Sequence, residues 1–148
     1  MRIASSPAYL DTSALAKIYV AEPESPALEA ALVGRRDLIV SDLALSELTS
    51  LFVRRVRAGQ VAPAGAQLLY RTVLRDVVER EFRSIELTRS VHREAERLMM
   101  SLGERVPLRA ADGLHLTLAA TAGARTLVTF DGRMAAAARA LGTFDLIE

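Results

Sequence analysis

Short apolar runs alternate along this chain with longer stretches of helical periodicity. Ala8–Asp11, Leu38-Ile39-Val40, Phe82–Leu87, Leu127–Phe130 and Phe144–Ile147 are too short for helices and rich in the residues that fit a pleated, buried surface. Between them lie patterns with helical punctuation. Ser13–Ala21 stops before Pro23, and Ser25 stands as a cap before Pro26 in a short helix reaching about Val33. Ser41 or Asp42 caps a helix to Arg57 with Gly59 as its stop, and Pro63 opens an amphipathic helix to about Glu79. Thr88 to Gly103, Ala110–Ala122 and an Ala-rich segment before the last strand complete the set. Strands alternating with helices predict βαβ units on a parallel sheet. No repeat, low-complexity segment or linker divides the sequence, so one domain over residues 1–148 is expected.

Composition narrows the classes. The chain has 148 residues, 51% of them hydrophobic, enough for a substantial core. It has no cysteine, which removes disulfides, thiolate metal sites and cysteine nucleophiles. No apolar run approaches the ~20 residues of a membrane span. Asp11 and Lys17 interrupt what a secretory signal would need as its apolar centre, so a cytoplasmic location is expected. The net charge of +1 is unevenly spread: residues 54–109 carry 12 basic and 7 acidic side chains, whereas 1–53 carry 4 and 7. A basic middle beside acidic flanks suits a polyanion held on one surface and attacked at an acidic centre; a solvated helical face explains scattered charge equally well.

Four acids stand where apolar segments end or turn. Asp11 closes the first strand and precedes Thr12-Ser13, so it serves either as a helix N-cap or as a carboxylate in the crevice beyond a strand's carboxyl end. Glu47 sits at the margin of the stripe Leu45, Leu48, Leu51, Phe52, with no cation at helical pairing distance; the plain alternative is a rim glutamate. Asp112 lies inside a helix apolar nearly all round, where a carboxylate is costly unless paired or metal-bound; Arg109 and His115 share its side and offer a local ion pair, and His115 could orient a ligand. Asp131 ends the fourth strand, two residues past Thr129 and before Gly132, and reads locally as an Asp-Gly turn. Taken together the four acids point to a Mg²⁺ or Mn²⁺ centre acting on phosphodiesters, because hard cations neutralise gathered carboxylates. Without metal, at least one acid should then have a raised pKa.

The segments Tyr9-Leu10-Asp11-Thr12-Ser13-Ala14-Leu15, Ser41 through Glu47-Leu48, Ala111-Asp112-Gly113-Leu114-His115-Leu116 and Leu127-Val128-Thr129-Phe130-Asp131 resemble a PIN domain, most closely a VapC-type toxin of a toxin–antitoxin pair. The acids are 36, 65 and 19 positions apart, and the resemblance spans essentially the whole chain. It implies a three-layer α/β/α sandwich on a parallel sheet and endoribonuclease activity. It also implies Asp11, Glu47, Asp112 and Asp131 as metal-holding catalytic acids, with Thr12 or Ser13 and Thr129 as polar companions, and a cognate antitoxin. One departure is Gly113 inside a helix, which costs about 1 kcal/mol against alanine.

The expected chemistry is in-line attack by water made acidic at the metal, giving 5′-phosphate and 3′-hydroxyl ends. With only His92 and His115 present, a two-histidine ribonuclease mechanism is disfavoured. Arg54, Arg55 and Arg57, near the end of the Glu47 helix, are expected to bind RNA; a solvated helix end is the alternative. Seven aromatic residues and no Trp leave little for base stacking. The wide apolar faces of Leu43–Val56 and Pro63–Val78 provide for an antitoxin and a homodimer, unless all of that surface is internal core. The rival functions are a non-enzymatic scaffold on the same fold and a housekeeping RNA-processing nuclease.

Overall fold

A computed structural model describes residues 6–79 and 81–148. Five strands, β1 (Ala8–Leu10), β2 (Leu38–Ser41), β3 (Arg83–Ile85), β4 (Thr126–Val128) and β5 (Asp145–Ile147), form one parallel sheet in the order β3-β2-β1-β4-β5. β1 is central because its three residues are fully buried and it pairs on both sides, Ala8 with Leu38 and with Thr126. The helices are α1 (Thr12–Tyr19), α2 (Ser25–Leu32), α3 (Asp42–Arg57), α4 (Pro63–Val78), α5 (Arg89–Leu102), α6 (Ala110–Thr121) and α7 (Gly132–Leu141).

The period-two geometry of a strand sorts the core into two layers. Ala8, Leu10, Leu38, Val40 and Val128 face α1 to α4, where they meet Leu15, Leu28, Leu48, Phe52 and Val73. Tyr9, Ile39 and Leu127 face α5 to α7 and pack with Val91, Leu116, Leu118 and Met134. The result is the expected three-layer sandwich. The chain runs outward from β1 through β2 to β3, then returns to β4 on the other side of β1. The crevice between the carboxyl ends of β1 and β4 is therefore a topological switch point, where open α/β sheets bind their ligands.

Element types agree with the sequence reading, and several ends shift. Asp11 lies outside β1 as the N-cap of α1, and Thr129 and Phe130 lie beyond β4. Ser25 is not the cap of α2: it is the first helical residue, and its hydroxyl accepts from Glu22 N–H and donates to the Lys17 carbonyl. Ser41 caps α3, accepting from Ala44 N–H at 3.1 Å. Gly59 stops α3 with φ 72°, the left-handed conformation that glycine adopts without strain. Asp131-Gly132 is not a turn either. Asp131 caps α7, and Gly132 is that helix's first residue. No helix among the described residues is long and apolar enough to cross a membrane.

Gly113 has a packing reason. A Cβ there would stand 2.8 Å from Met99 Cγ and 3.0 Å from its sulfur, so α5 and α6 approach closely at this point. Gly113→Ala removes a helix penalty of about 1 kcal/mol while pushing a flexible thioether aside, and its net effect should lie within about 1 kcal/mol of zero. Gly113→Val adds a branched side chain at the same contact and should destabilise by about 1–3 kcal/mol. Urea midpoints of the two variants check this; a valine variant as stable as the alanine one would show that the interface is loose.

Candidate metal centre

Asp11 anchors the site. It is 2% exposed at the end of the central strand, and its carboxylate is held from both sides of the switch point. Oδ1 accepts from Ala14 N–H at 2.9 Å and from the Ser13 hydroxyl at 2.6 Å, and Oδ2 accepts from the Thr129 hydroxyl beyond β4. The capping and site readings of Asp11 are thus one geometry. Ser13 Oγ accepts from Phe130 N–H at 2.8 Å, and Thr129 Oγ1 accepts from Asp131 N–H at 3.1 Å, which ties the two strand ends together.

Glu47 is reached from the same place. Its Oε1 accepts from the Thr12 hydroxyl at 2.7 Å and lies 2.6 Å from His115 Nε2. His115 stands one turn after Asp112 on α6, so α1, α3 and α6 meet at this carboxylate. The local ion pair that Arg109 and His115 offered Asp112 as the plain alternative does not form. His115 turns to Glu47, and Asp112, 6% exposed, closes its own helix by accepting from Arg109 backbone N–H at 2.9 Å. Asp131 is exposed, and its Oδ1 accepts from Arg133 and Met134 N–H.

The hydrogen bonds thus form two groups, Asp11 with Ser13 and Thr129, and Glu47 with Thr12 and His115, joined through the Asp11-Thr12 backbone; Asp131 attaches by its N–H to Thr129, and Asp112 lies one turn from His115. No group of three or more acid or histidine side chains among the described residues forms a ready cage for a cation. Each carboxylate is occupied by its nearest O–H or N–H donors instead. The donor chemistry nevertheless fits a hard divalent ion, which takes carboxylate oxygens. Among the described residues no hydrogen bond reaches Oε2 of Glu47, Oδ1 of Asp112 or Oδ2 of Asp131.

One group was missed from sequence. Tyr9, fully buried on the α5–α7 face, places its phenol 2.8 Å from Ser41 Oγ and 2.7 Å from His115 Nδ1. Its position in an apolar strand marks it as core, and only the requirement that a buried tyrosine hydroxyl find a partner signals more. The arginines divide. Arg54 and Arg57 are exposed, and the Arg54 charge reaches Glu47, whereas Arg55 forms an ion pair with Glu22 at 3.0 Å.

One raised carboxylate was expected from mutual repulsion. Asp11 is indeed raised, but burial is the cause, opposed by the bonds from Ser13, Thr129 and Ala14 and by the field of His115. Glu47 is lowered, chiefly by the His115 hydrogen bond and against partial burial, with help from Thr12 and Arg54. In linkage terms, the folded metal-free protein holds the Asp11 proton more tightly than the unfolded chain. That contribution is full below the unfolded value and is lost as pH rises through the folded one. Glu47 behaves oppositely: its contribution is present above its unfolded value and is lost as pH falls through the folded one. Melting temperatures of Asp11→Asn and Glu47→Gln, measured without metal between pH 3.5 and 7, should therefore diverge. Relative to wild type, the first should improve as pH rises and the second should worsen; parallel curves would remove one of the two assignments.

The likeness to known proteins follows the same outline. The chain resembles VapC20 of Mycobacterium tuberculosis, a toxin that cleaves the sarcin–ricin loop, at 19% identity and TM-score 0.69, covering 88% of this chain and 94% of that one. It resembles FitAcB of Neisseria gonorrhoeae at 17% identity and TM-score 0.68, covering 95% and 96%. A protein from Pyrobaculum aerophilum matches at 22% identity and TM-score 0.65, covering 89% and 79%. Comparison with curated protein sequences finds no match. The PIN domain family profile matches residues 8–140, nearly the whole length, and the chain belongs to the PIN domain family.

Proposed function

We propose that this PIN domain is a Mg²⁺- or Mn²⁺-dependent endoribonuclease and the toxin of a toxin–antitoxin pair. The observation that carries the reading is the convergence at the switch point: a buried Asp11 bridged to Thr129, and Glu47 held by Thr12 and His115 from two further elements. A scaffold gains nothing from an ionised carboxylate buried there, since burial raises its free energy. The likeness to VapC20 supports the toxin class and RNA as substrate.

Asp11, Glu47, Asp112 and Asp131 would hold the cation. When bound, it would make water nucleophilic near neutral pH and neutralise charge on the phosphate. The chain's own residues do the rest. Thr129 and Ser13 fix the Asp11 carboxylate in one orientation, and Thr12 does the same for Glu47. The amino ends of α1, α6 and α7 point their free N–H groups at the acids and offset part of their mutual repulsion. Arg54 and Arg57 lie exposed along the end of α3, where they can pair with RNA phosphates; Arg55 is committed to Glu22. Water as nucleophile leaves 5′-phosphate and 3′-hydroxyl ends.

A partner is part of the proposal. Of α4 only Val73 is fully buried, while Leu68 (65% exposed), Tyr70, Leu74 and Val78 (79%) remain open to solvent, as does Val53 of α3. Uncovered apolar surface of this kind suits an antitoxin's amphipathic helix or a second copy of the chain in a homodimer. The cytoplasm is the compartment where such a nuclease would meet both RNA and antitoxin.

Asp11→Asn should keep the cap and the fold but lose RNA cleavage by at least about 100-fold in Mg²⁺ or Mn²⁺. Wild-type cleavage by this variant, read from the 5′-phosphate ends of total RNA, would defeat the nuclease reading in favour of a scaffold. Arg54→Ala/Arg57→Ala should reduce the slope of log affinity against log salt by about 1–1.5, whereas Arg55→Ala should leave it unchanged. Inducing the chain alone should arrest growth of its host, and co-expressing the small protein encoded beside it should restore growth. Normal growth with folded protein present would leave a housekeeping nuclease.

A further inference from the structure

Beneath Glu47 runs a chain of buried hydroxyl and imidazole groups whose proton directions can be worked out. Ser41 Oγ accepts from Ala44 N–H, so its own proton must go elsewhere, and Tyr9 Oη at 2.8 Å is its partner. Tyr9 Oη, having accepted from Ser41, donates its proton to His115 Nδ1 at 2.7 Å. His115 Nδ1 is then an acceptor, which leaves the ring proton on Nε2, 2.6 Å from Glu47 Oε1. An ionised carboxylate only accepts, so that proton is required where the chain delivers it. The reverse direction leaves the Ser41 proton without an acceptor in a fully buried site, since among the described residues its hydroxyl meets only Ala44 N–H and Tyr9 Oη.

We infer that Tyr9 and His115 are positioning residues, a one-way relay that starts at the capped end of α3, locks His115 in its Nε2–H tautomer, and aims the Glu47 carboxylate into the candidate metal centre. This rests on the proposed function for its purpose, and on geometry alone for its existence. The relay is closed within the structure: Ser41 and Glu47 belong to the same β2–α3 segment, while Tyr9 and His115 cross from β1 and α6 to join its two ends. It fixes Glu47 Oε1 and leaves the other oxygen, which no hydrogen bond among the described residues reaches, available to a cation. Ligands oriented by such partners lose about 10- to 100-fold in metal affinity when the partner is removed.

The test has one readout without metal and one with it. In metal-free protein at pH 8, nitrogen-15 NMR should show His115 as the Nε2–H tautomer, with exposed His92 as an internal reference for an unconstrained ring. Tyr9→Phe should weaken that preference without removing it, because the Glu47 carboxylate still requires the Nε2 proton. Mn²⁺ titration followed by electron paramagnetic resonance should then show about 10-fold weaker binding in Tyr9→Phe and in His115→Leu, and recovery in His115→Gln, whose amide can still donate to Glu47. Circular dichroism confirms that each variant is folded, and the glutamine rescue separates orientation from loss of packing. An Nδ1–H ring in the wild type overturns the relay, and unchanged Mn²⁺ affinity in both Tyr9→Phe and His115→Leu overturns its positioning role. A wild type that binds no Mn²⁺ is a separate result: it defeats the proposed function and the role of the relay together, while the tautomer still reports whether the hydrogen-bond chain exists.

Discussion

A carboxylate buried at the end of a central strand must have its charge solvated by the protein, and Asp11 sets that demand here. Its two oxygens draw a backbone N–H from α1, a hydroxyl from Ser13 and a hydroxyl from beyond β4. Removing those donors would leave an ionised group in an apolar interior, at a cost of several kcal/mol. The positions of Ser13 and Thr129 are therefore fixed by the same requirement that fixes Asp11. Because Phe130 and Asp131 donate their N–H groups to these two hydroxyls, the requirement extends to the loop opening α7.

Helix ends supply much of what makes this arrangement tolerable. Asp11 and Asp131 cap α1 and α7, and Asp112 lies in the first turn of α6. Each carboxylate thus sits at the positive end of a helix, where negative charge is stabilised by roughly 0.3–1 kcal/mol. Glu47 is the exception, one turn and a half into α3, and it is the acid that takes a histidine as partner. The acids without a cap role and those with one are consequently held by different means.

The strands, their parallel sheet and the helices were legible in the sequence, because a buried parallel strand must be apolar and a helix must end on caps. Strand ends were less so. Thr129-Phe130 continues the β-like pattern of Leu127-Val128, and Thr129 N–H still bonds to the Ile147 carbonyl, but the Thr129 hydroxyl goes to Asp11 and Phe130 N–H goes to Ser13. Gly132 after Asp131 resembles a turn in one dimension and is a helix start in three. His115 was read with its helical neighbour Asp112 since sequence shows only i+3 relations, whereas Glu47 comes from 68 positions away. Tyr9 was invisible as a polar group for the same reason: its partners, 32 and 106 positions distant, are set by the sheet order.

That sheet order also governs when the site comes into being. The bridge between Asp11 and Thr129 spans 118 positions, and β4 follows β1, β2 and β3 in the chain. Domains fold as units once their sequence has emerged from the ribosome. Until β4 clears the exit tunnel, Asp11 has no Thr129 beside it and β1 lacks one of its two neighbours. The bridge that fixes the Asp11 carboxylate therefore forms only after β4 has emerged.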